Sequence, residues 1–406
     1  MLSISRLLQL PQQVQSLSRT ISGADFLAIN SYQYWRQRTP IVSFDPVTEI
    51  YDRVPLRPFN YMQNWPWVFC YESLRYLLKD ESAEFLLSPR RDPQANLYYL
   101  WGSGRGPAQE IFSRAMLRNM PVYFFEEPFL SCICPPSYFD LIPDHRFLHC
   151  LGLIVDDRAV YYDCYYQSRL ELMLNDPNFR LTEEQLERSR RCIDYLVGNR
   201  LSKYNHQPLE LPKSLASILE QGHGRRRILI VDQHKADLSI YKGGIHDATY
   251  QTMLDEVLEE HPDDQILLKI HPDQLSGKYQ GCFANIDTSR LTILDMAVNP
   301  YTLLEHVDEV YTGTSQLGFE AALAGKKVMC YGLPFYAGWG FTEDRLPSTT
   351  RTVRRSLEEV FFCAYVLYTN YVDPQNRCRC SLERAMEYLV ELRSEYFDSL
   401  TDSTLQ

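Results

Sequence analysis

Four stretches of this chain place chemistry-bearing residues directly after an apolar run, where open parallel sheets bind ligands beyond the carboxyl ends of their strands. In VDQHKADLSIYKGG, Asp232 and Gln233 end a strand, Asp237 and Ser239 follow in a loop, and Gly243 and Gly244 allow close backbone approach to a ligand. Several polar groups converge there. The plain alternative is a strand-to-helix loop whose acids only cap and solvate. In KIHPD, His271 follows the strand QILLKI with Pro272 beside it, and an imidazole at that place can donate a hydrogen bond or proton to a departing phosphate oxygen. A satisfied loop histidine is the competing reading. His261 in EEHPDD carries the same His-Pro pair at a polar helix end and reads as surface, so the dipeptide alone is not specific.

The third stretch, GTSQLGFEAALAGK, starts a helix at Thr314 or Ser315 just after a strand. Its free N–H groups and dipole make an anion site for one phosphate, with Glu320, a turn and a half in, within reach of a ribose hydroxyl. An ordinary N-cap is the alternative. No GxGxxG or GxxxxGK[ST] pattern is present, which counts against dinucleotide and ATP binding and against an oxidoreductase; a nucleoside monophosphate is the better match. The fourth stretch is FFEEPFL, where Glu126 and Glu127 follow a strand of the first half and face an interdomain cleft, or else are solvated surface acids. No DxD-like metal motif is evident, and the sequence calls for no metal or cofactor.

The elements around these stretches predict an α/β fold. A length of 406 residues exceeds what one core supports, about 250–300 residues, and fits two domains. NLYYLW, PAQEIFSRAMLRNM and PVYFFE read as a βαβ unit, LGLIVDD and AVYYD as two more strands, and residues 182–200 as an amphipathic helix behind the N-cap Thr182. Residues 1–90 are rich in aromatics and prolines without a sustained period and read as an irregular N-terminal elaboration. HQPLELPKSLASILEQGHGRRR suits an interdomain connection, giving an N-terminal domain over 1–224 and a C-terminal domain over 225–406. The second half alternates as RILIVD, a helix with Tyr250, Met253, Leu254, Val257 and Leu258 on one side, QILLKI, LTILD, YTLLEHV, EVYTG, SQLGFEAALAG and KVMCYG, a parallel Rossmann-like sheet. After Asp344 the chain reads as helical. Two Rossmann-like domains facing a cleft, with C-terminal helices, describe the GT-B architecture.

Composition narrows the function further. A formal charge of −11 argues against nucleic-acid binding, which needs a cationic surface. The eleven cysteines form no CxxC pair and read as reduced cytosolic thiols. No apolar run approaches the ~20 residues of a membrane span, so the expected location is the cytoplasm.

Taken together, VDQHKADLSIYKGG, LKIHPD, YTGTSQLGFEAALAGKKVMCYGLPFYAGWGFTEDR and LYTNYVDP resemble the capsule polysaccharide β-Kdo transferases of the KpsC type and their relatives in O-antigen synthesis. LWGSGRGP, FFEEPFL, VDDRAVYYD, SRLE and LSKYN, with Lys203, agree more loosely. The resemblance spans roughly residues 95–395. Pro128 and Ser131–Cys132 depart from it, standing where the family usually has Gly and Arg-Ser. It implies a retaining transferase with a CMP-β-Kdo donor, a polysaccharide or glycolipid acceptor and partner enzymes at the inner membrane face, where the protein would sit peripherally. It also implies Asp237 as nucleophile, ahead of Asp232, and His271 acting on the leaving phosphate. Gln233, Ser239, Gly243, Gly244, Pro272, Thr314, Ser315 and Glu320 would form the donor site, and Glu126, Glu127 and Lys203 the acceptor side or cleft. A transferase for another CMP-sugar, sialyltransferase-like, and a catalytically silent nucleotide-sugar binding protein are the competing readings.

Overall fold

The computed structural model describes residues 58–61, 97–102, 122–138, 141–271, 280–283 and 286–403. Most of the N-terminal elaboration, the helix read over PAQEIFSRAMLRNM and Pro272 lie outside the described residues. Among the described residues the fold is α/β with two six-stranded sheets. The second is all parallel, in the order β10 (Glu343–Asp344), β9 (Lys327–Cys330), β8 (Glu309–Thr312), β5 (Arg227–Val231), β6 (Gln265–Lys269), β7 (Leu291–Leu294). The chain runs outward from β5 through β6 to β7, then returns to the other side of β5 as β8. That reversal opens a crevice beyond the carboxyl ends of β5 and β8, the position at which such sheets take ligands.

The apolar runs read in the sequence become these strands because both faces of the sheet are buried. Ile228 and Ile230 of β5 pack with Tyr250, Met253, Leu254 and Val257 of helix α5 (Thr249–Glu260) on one face. Leu229 and Val231 face the opposite core, shared with Phe129, Leu130, Ile154 and Leu170 of the first half. One core therefore joins the two sheets.

The first sheet corrects two expectations. Its order is β1 (Pro58–Tyr61), β2 (Leu97–Trp101), β3 (Val122–Glu126), β4 (Gly152–Asp156), β11 (Thr369–Asp373), β12 (Cys378–Cys380). β1, β2 and β3 are parallel, but β4 runs antiparallel to β3 and to β11, so this half is a mixed sheet rather than a Rossmann-like one. The segment after Asp344 is not wholly helical either. Helix α8 (Leu357–Phe361) passes into a π-helical turn over Phe362–Tyr368, and LYTNYVDP then crosses back as β11. The completely buried pattern of β11 explains why it lacks the alternation of a half-exposed strand.

AVYYD is a loop, not a strand. The buried Asp156 carboxylate accepts N–H bonds from Arg158 (2.7 Å), Ala159 (3.2 Å) and Arg169 (2.7 Å), which turns the chain as soon as β4 ends. Helix α1 (Arg169–Asn175) follows, then α2 (Glu183–Gly198), whose Thr182 and Gln185 form a capping box. α3 (Lys213–Gln221) occupies the connection before β5, and the long α9 (Leu382–Ser403) closes the chain. Among the described residues no helix is long and apolar enough to cross a membrane. His261, expected at the surface, is buried: its ring bridges Asp264 Oδ2 and the Tyr311 hydroxyl, each at 2.8 Å.

The PFYAGWG stretch is held by a buried ion pair between Arg351 and Glu171 at 3.2 Å, with the same guanidinium donating to the carbonyls of Pro334 and Ala337 and lying over the Trp339 ring. Arg351→Ala leaves Glu171 buried without its partner and is expected to cost about 3–5 kcal/mol. A fall in denaturation midpoint at unchanged slope is the expected result; an unchanged midpoint would show the pair to be dispensable.

Candidate active site

A cavity of about 480 Å³ opens between the two sheets, beyond the carboxyl ends of β3, β5, β6 and β8. One wall comes from the second sheet. Gln233, next to Asp232 in the loop after β5, is buried and occupied at both ends of its amide. Its Oε1 accepts from the Tyr250 hydroxyl (2.7 Å) and the Thr314 N–H (2.8 Å). Its Nε2 lies 3.1 Å from Asp237 Oδ2, 3.2 Å from Ser239 Oγ and 3.2 Å from Thr314 Oγ1. The side chain thus ties the loop after β5 to the loop after β8.

Asp237 is the N-cap of helix α4 (Leu238–Lys242), accepting the Ser239 N–H on Oδ1 at 2.8 Å. With Gln233 on its other oxygen, the carboxylate is oriented from both sides, half-buried on the cavity wall. Ser315 caps helix α7 (Gln316–Leu323) at the same wall, and the Tyr336 hydroxyl donates to its carbonyl at 2.6 Å. That approach needs Gly318, since a Cβ there would lie 2.2 Å from the tyrosine oxygen. His271 lines the cavity after β6, its ring edge-on to that of His234 at 5.0 Å. The wall therefore presents helix N–H groups, hydroxyls and two imidazoles around one carboxylate, a set suited to a phosphate leaving a carbon that the carboxylate can attack.

The facing wall comes from the first half. Glu126, at the end of β3, accepts from the Tyr162 hydroxyl at 2.6 Å. Burial pushes its carboxyl up to about 7, against the opposing effects of Tyr162 and Lys203. Glu127 pairs with Lys203 Nζ at 3.2 Å and accepts from the Tyr204 hydroxyl at 2.7 Å. Burial raises the Glu127 carboxyl as well. Burial alone would lower Lys203, but attraction to Glu127, Tyr161 and Glu126 outweighs it and holds the ammonium charged. A carboxyl near neutrality beside a fixed cation is poised to take a proton.

Four of the expected site residues do not line this cavity. Asp232 is buried behind it, its Oδ1 accepting from the N–H groups of Gln233 (2.8 Å) and Cys282 (2.9 Å), with its carboxyl raised by burial to about 6. Gly243 and Gly244 approach protein rather than ligand: a Cβ on Gly243 would lie 2.3 Å from Thr314 Cγ2, and Gly244 has φ +76° with Leu346 against it. Glu320 is buried beneath the floor, accepting from the Ser202 hydroxyl at 2.7 Å and facing Gln316 Nε2 at 3.4 Å, which fastens the Lys203 loop to α7. Asp237, His271, Gln233, Ser239, Thr314, Ser315, Glu126, Glu127 and Lys203 do come together there. His234, Tyr161, Tyr162 and Phe335 join them and were not singled out from sequence. His234 stands between the two acids of DQHKAD, and the paired tyrosines of AVYYD are the signal for Tyr161 and Tyr162.

The chain matches the capsule polysaccharide biosynthesis protein family over residues 99–375, a span containing every residue that lines the cavity. It belongs to that family. Among curated members, capsule polysaccharide modification protein LipA of Neisseria meningitidis serogroup A is 36% identical over 249 residues, 60% of this chain and 35% of that protein. Lipopolysaccharide-processing protein LpsZ of Rhizobium meliloti is 34% identical over 284 residues, 69% of this chain and 60% of LpsZ. The match thus spans about a third of LipA. Among solved structures, the beta Kdo 2,4 transferase of Thermosulfurimonas dismutans KpsC superposes with TM-score 0.70 at 28% identity, covering 82% of this chain and 97% of that one. The beta Kdo 2,7 transferase of the same KpsC gives 0.61 at 26% identity, covering 83% and 99%.

Glu320 offers a direct test of the floor. Burial raises its carboxyl from 4.5 to about 7, so the folded state holds a proton that the unfolded state releases. Its contribution to stability is full below about 4.5 and is lost as pH rises through about 7. Glu320→Gln keeps an acceptor for Ser202 and removes the charge. Its Tm is expected to exceed that of the unsubstituted protein at pH 8 by more than at pH 5; an equal difference at both pH values would place a charged carboxylate in the floor.

Proposed function

We propose that this family member is a retaining β-Kdo glycosyltransferase with a GT-B-type arrangement whose first half carries a mixed sheet, transferring Kdo from CMP-β-Kdo to a polysaccharide or lipid-linked acceptor. The observation that carries the reading is the TM-score of 0.70 to a solved beta Kdo 2,4 transferase, over 97% of that chain. The cavity's residues supply the chemistry the reading needs. Retention by double displacement requires a carboxylate nucleophile, and Asp237 is the doubly anchored carboxylate of the wall that also holds the α7 N-terminus.

In the first step an Asp237 oxygen bonds to the anomeric carbon as the bond from that carbon to the phosphate oxygen breaks, and CMP leaves with the electron pair. Its phosphate is held by the α7 N-terminus at Thr314 and Ser315, and His271 donates to it. The scheme calls on no metal. In the second step the acceptor hydroxyl oxygen attacks the same carbon, its proton passes to Glu126, and Asp237 departs as a carboxylate. Two inversions restore the starting configuration. The acceptor and any partner enzymes at the inner membrane face belong to the same proposal.

Incubation with a CMP-Kdo generating mixture and a synthetic β-Kdo glycoside is expected to release CMP and extend the glycoside, with Asp237→Ala below detection. CMP bound but never released with any acceptor tried would favour another donor or a silent binding protein. Because Glu126 acts as the base, kcat is expected to rise with pH through about 7. Glu126→Gln should lower kcat by ~10²–10⁴-fold and flatten that rise. A profile unchanged in Glu126→Gln would move the base elsewhere.

A further inference from the structure

The first-half wall of the cavity carries two polar side chains that the proposed reaction does not use. His206 and Gln207 lie there beside Pro135, Pro136 and Tyr204. The backbone that presents them is pinned on both sides. Asn205 donates from Nδ2 to the carbonyls of Cys132 (3.0 Å) and Ser202 (2.8 Å), accepts the Ser202 N–H on Oδ1 (3.0 Å), and gives its own N–H to Ile133 O (2.8 Å). The N–H groups of Ser131 and Cys132 both point at the Lys203 carbonyl. Every polar group of the Asn205 side chain is therefore used.

At each of the next two residues one polar side-chain atom is left over. His206 Nδ1 and Gln207 Oε1 have no hydrogen-bond partner in the protein. Native structures leave few such atoms without a partner, and two in succession on a rigid cavity wall ask for one from outside the chain. The Tyr138 ring meets the His206 ring edge-on at 5.0 Å and fixes its plane. Burial pushes this imidazole down to about 4, against the opposing effect of the Ile133 backbone carbonyl, so near pH 7 it is neutral and hydrogen-bonds without attracting or repelling charge. Prolines and a tyrosine next to uncharged hydrogen-bonding groups match a sugar ring, which offers an apolar C–H face with hydroxyls at its edge.

We infer that His206 and Gln207 form an acceptor subsite, gripping hydroxyl groups of the saccharide that receives the transferred sugar. The inference rests on the transferase reading above. It divides the cavity by chemistry. The α7 N-terminus, Asp237 and His271 handle an anionic donor; Glu126 takes the proton; the neutral wall beyond Glu127 and Lys203 selects the acceptor by shape and hydroxyl pattern.

The test compares the unsubstituted protein with His206→Leu and Gln207→Leu, using a synthetic β-Kdo glycoside as acceptor and CMP-Kdo generated in place. Acceptor KM, kcat and the Kd of CMP are measured for each. The expected result is an acceptor KM raised about tenfold by either substitution, the size of one lost neutral hydrogen bond, with the Kd of CMP within about twofold. An acceptor KM that does not move while CMP still binds overturns the subsite and leaves the transferase reading standing. If the unsubstituted protein binds no CMP and extends no acceptor, that reading falls and the subsite with it. Should His206→Leu fail to bind CMP, as an unfolded variant would, Gln207→Leu decides the matter, because that side chain is only partly buried in a loop.

Discussion

The buried amide of Gln233 holds the site together. It stands where the second sheet reverses direction, and with one oxygen and one nitrogen it engages Tyr250 from α5, Asp237 and Ser239 from the loop after β5, and Thr314 from the loop after β8. Three segments distant in sequence are thereby held at one point, two of them carrying the groups that face the cavity. An amide is suited to this because it donates and accepts at once without adding charge beside Asp237. Gly243 lets the arrangement close: with any side chain there, Thr314 would be displaced and the amide would lose a partner.

Around that point the cavity separates two kinds of electrostatics. The second-sheet wall offers dipoles and imidazoles to an anion. The first-half wall buries Glu126 and Glu127 against Lys203, and desolvation pushes both carboxyls upward while the lysine stays charged. The walls are joined at the rim by Asp163 and Lys242, 2.7 Å apart and largely buried, and by the Cys164 N–H on the Lys242 carbonyl. Below, Glu320 links Ser202 to α7. A cleft between two sheets is thus held as one site by contacts that lie outside the cavity lining.

What the sequence made legible, and what it hid, follows from the range of the forces involved. β5, α5 and α7 could be read because their apolar spacing and caps are local: Tyr250, Met253, Leu254 and Val257 repeat at helical period, and Ser315 begins α7 with its own hydroxyl. The place of Asp237 and His271 at the cavity could be read because both stand in loops that follow strands of a parallel sheet. The turn after β4 could not, since it is made by Asp156 reaching Arg169 thirteen residues later. Nor could β11, whose place beside β4 is set by pairing across some two hundred residues. Gly243, Gly244 and Glu320 have the residue types of a binding site, but tertiary packing uses them inside the protein. His261 has the dipeptide of His271, and a tyrosine from β8 draws it inward.

The central claim is that Asp237 attacks the sugar carbon and carries it between donor and acceptor. The most direct measurement is intact-protein mass after brief exposure to CMP-Kdo without acceptor, followed by peptide mapping. The account predicts a mass increase of one Kdo residue located on Asp237, removed when acceptor is added and absent in Asp237→Ala. CMP release with full transfer but no adduct in either protein, or an adduct on another residue, would contradict it.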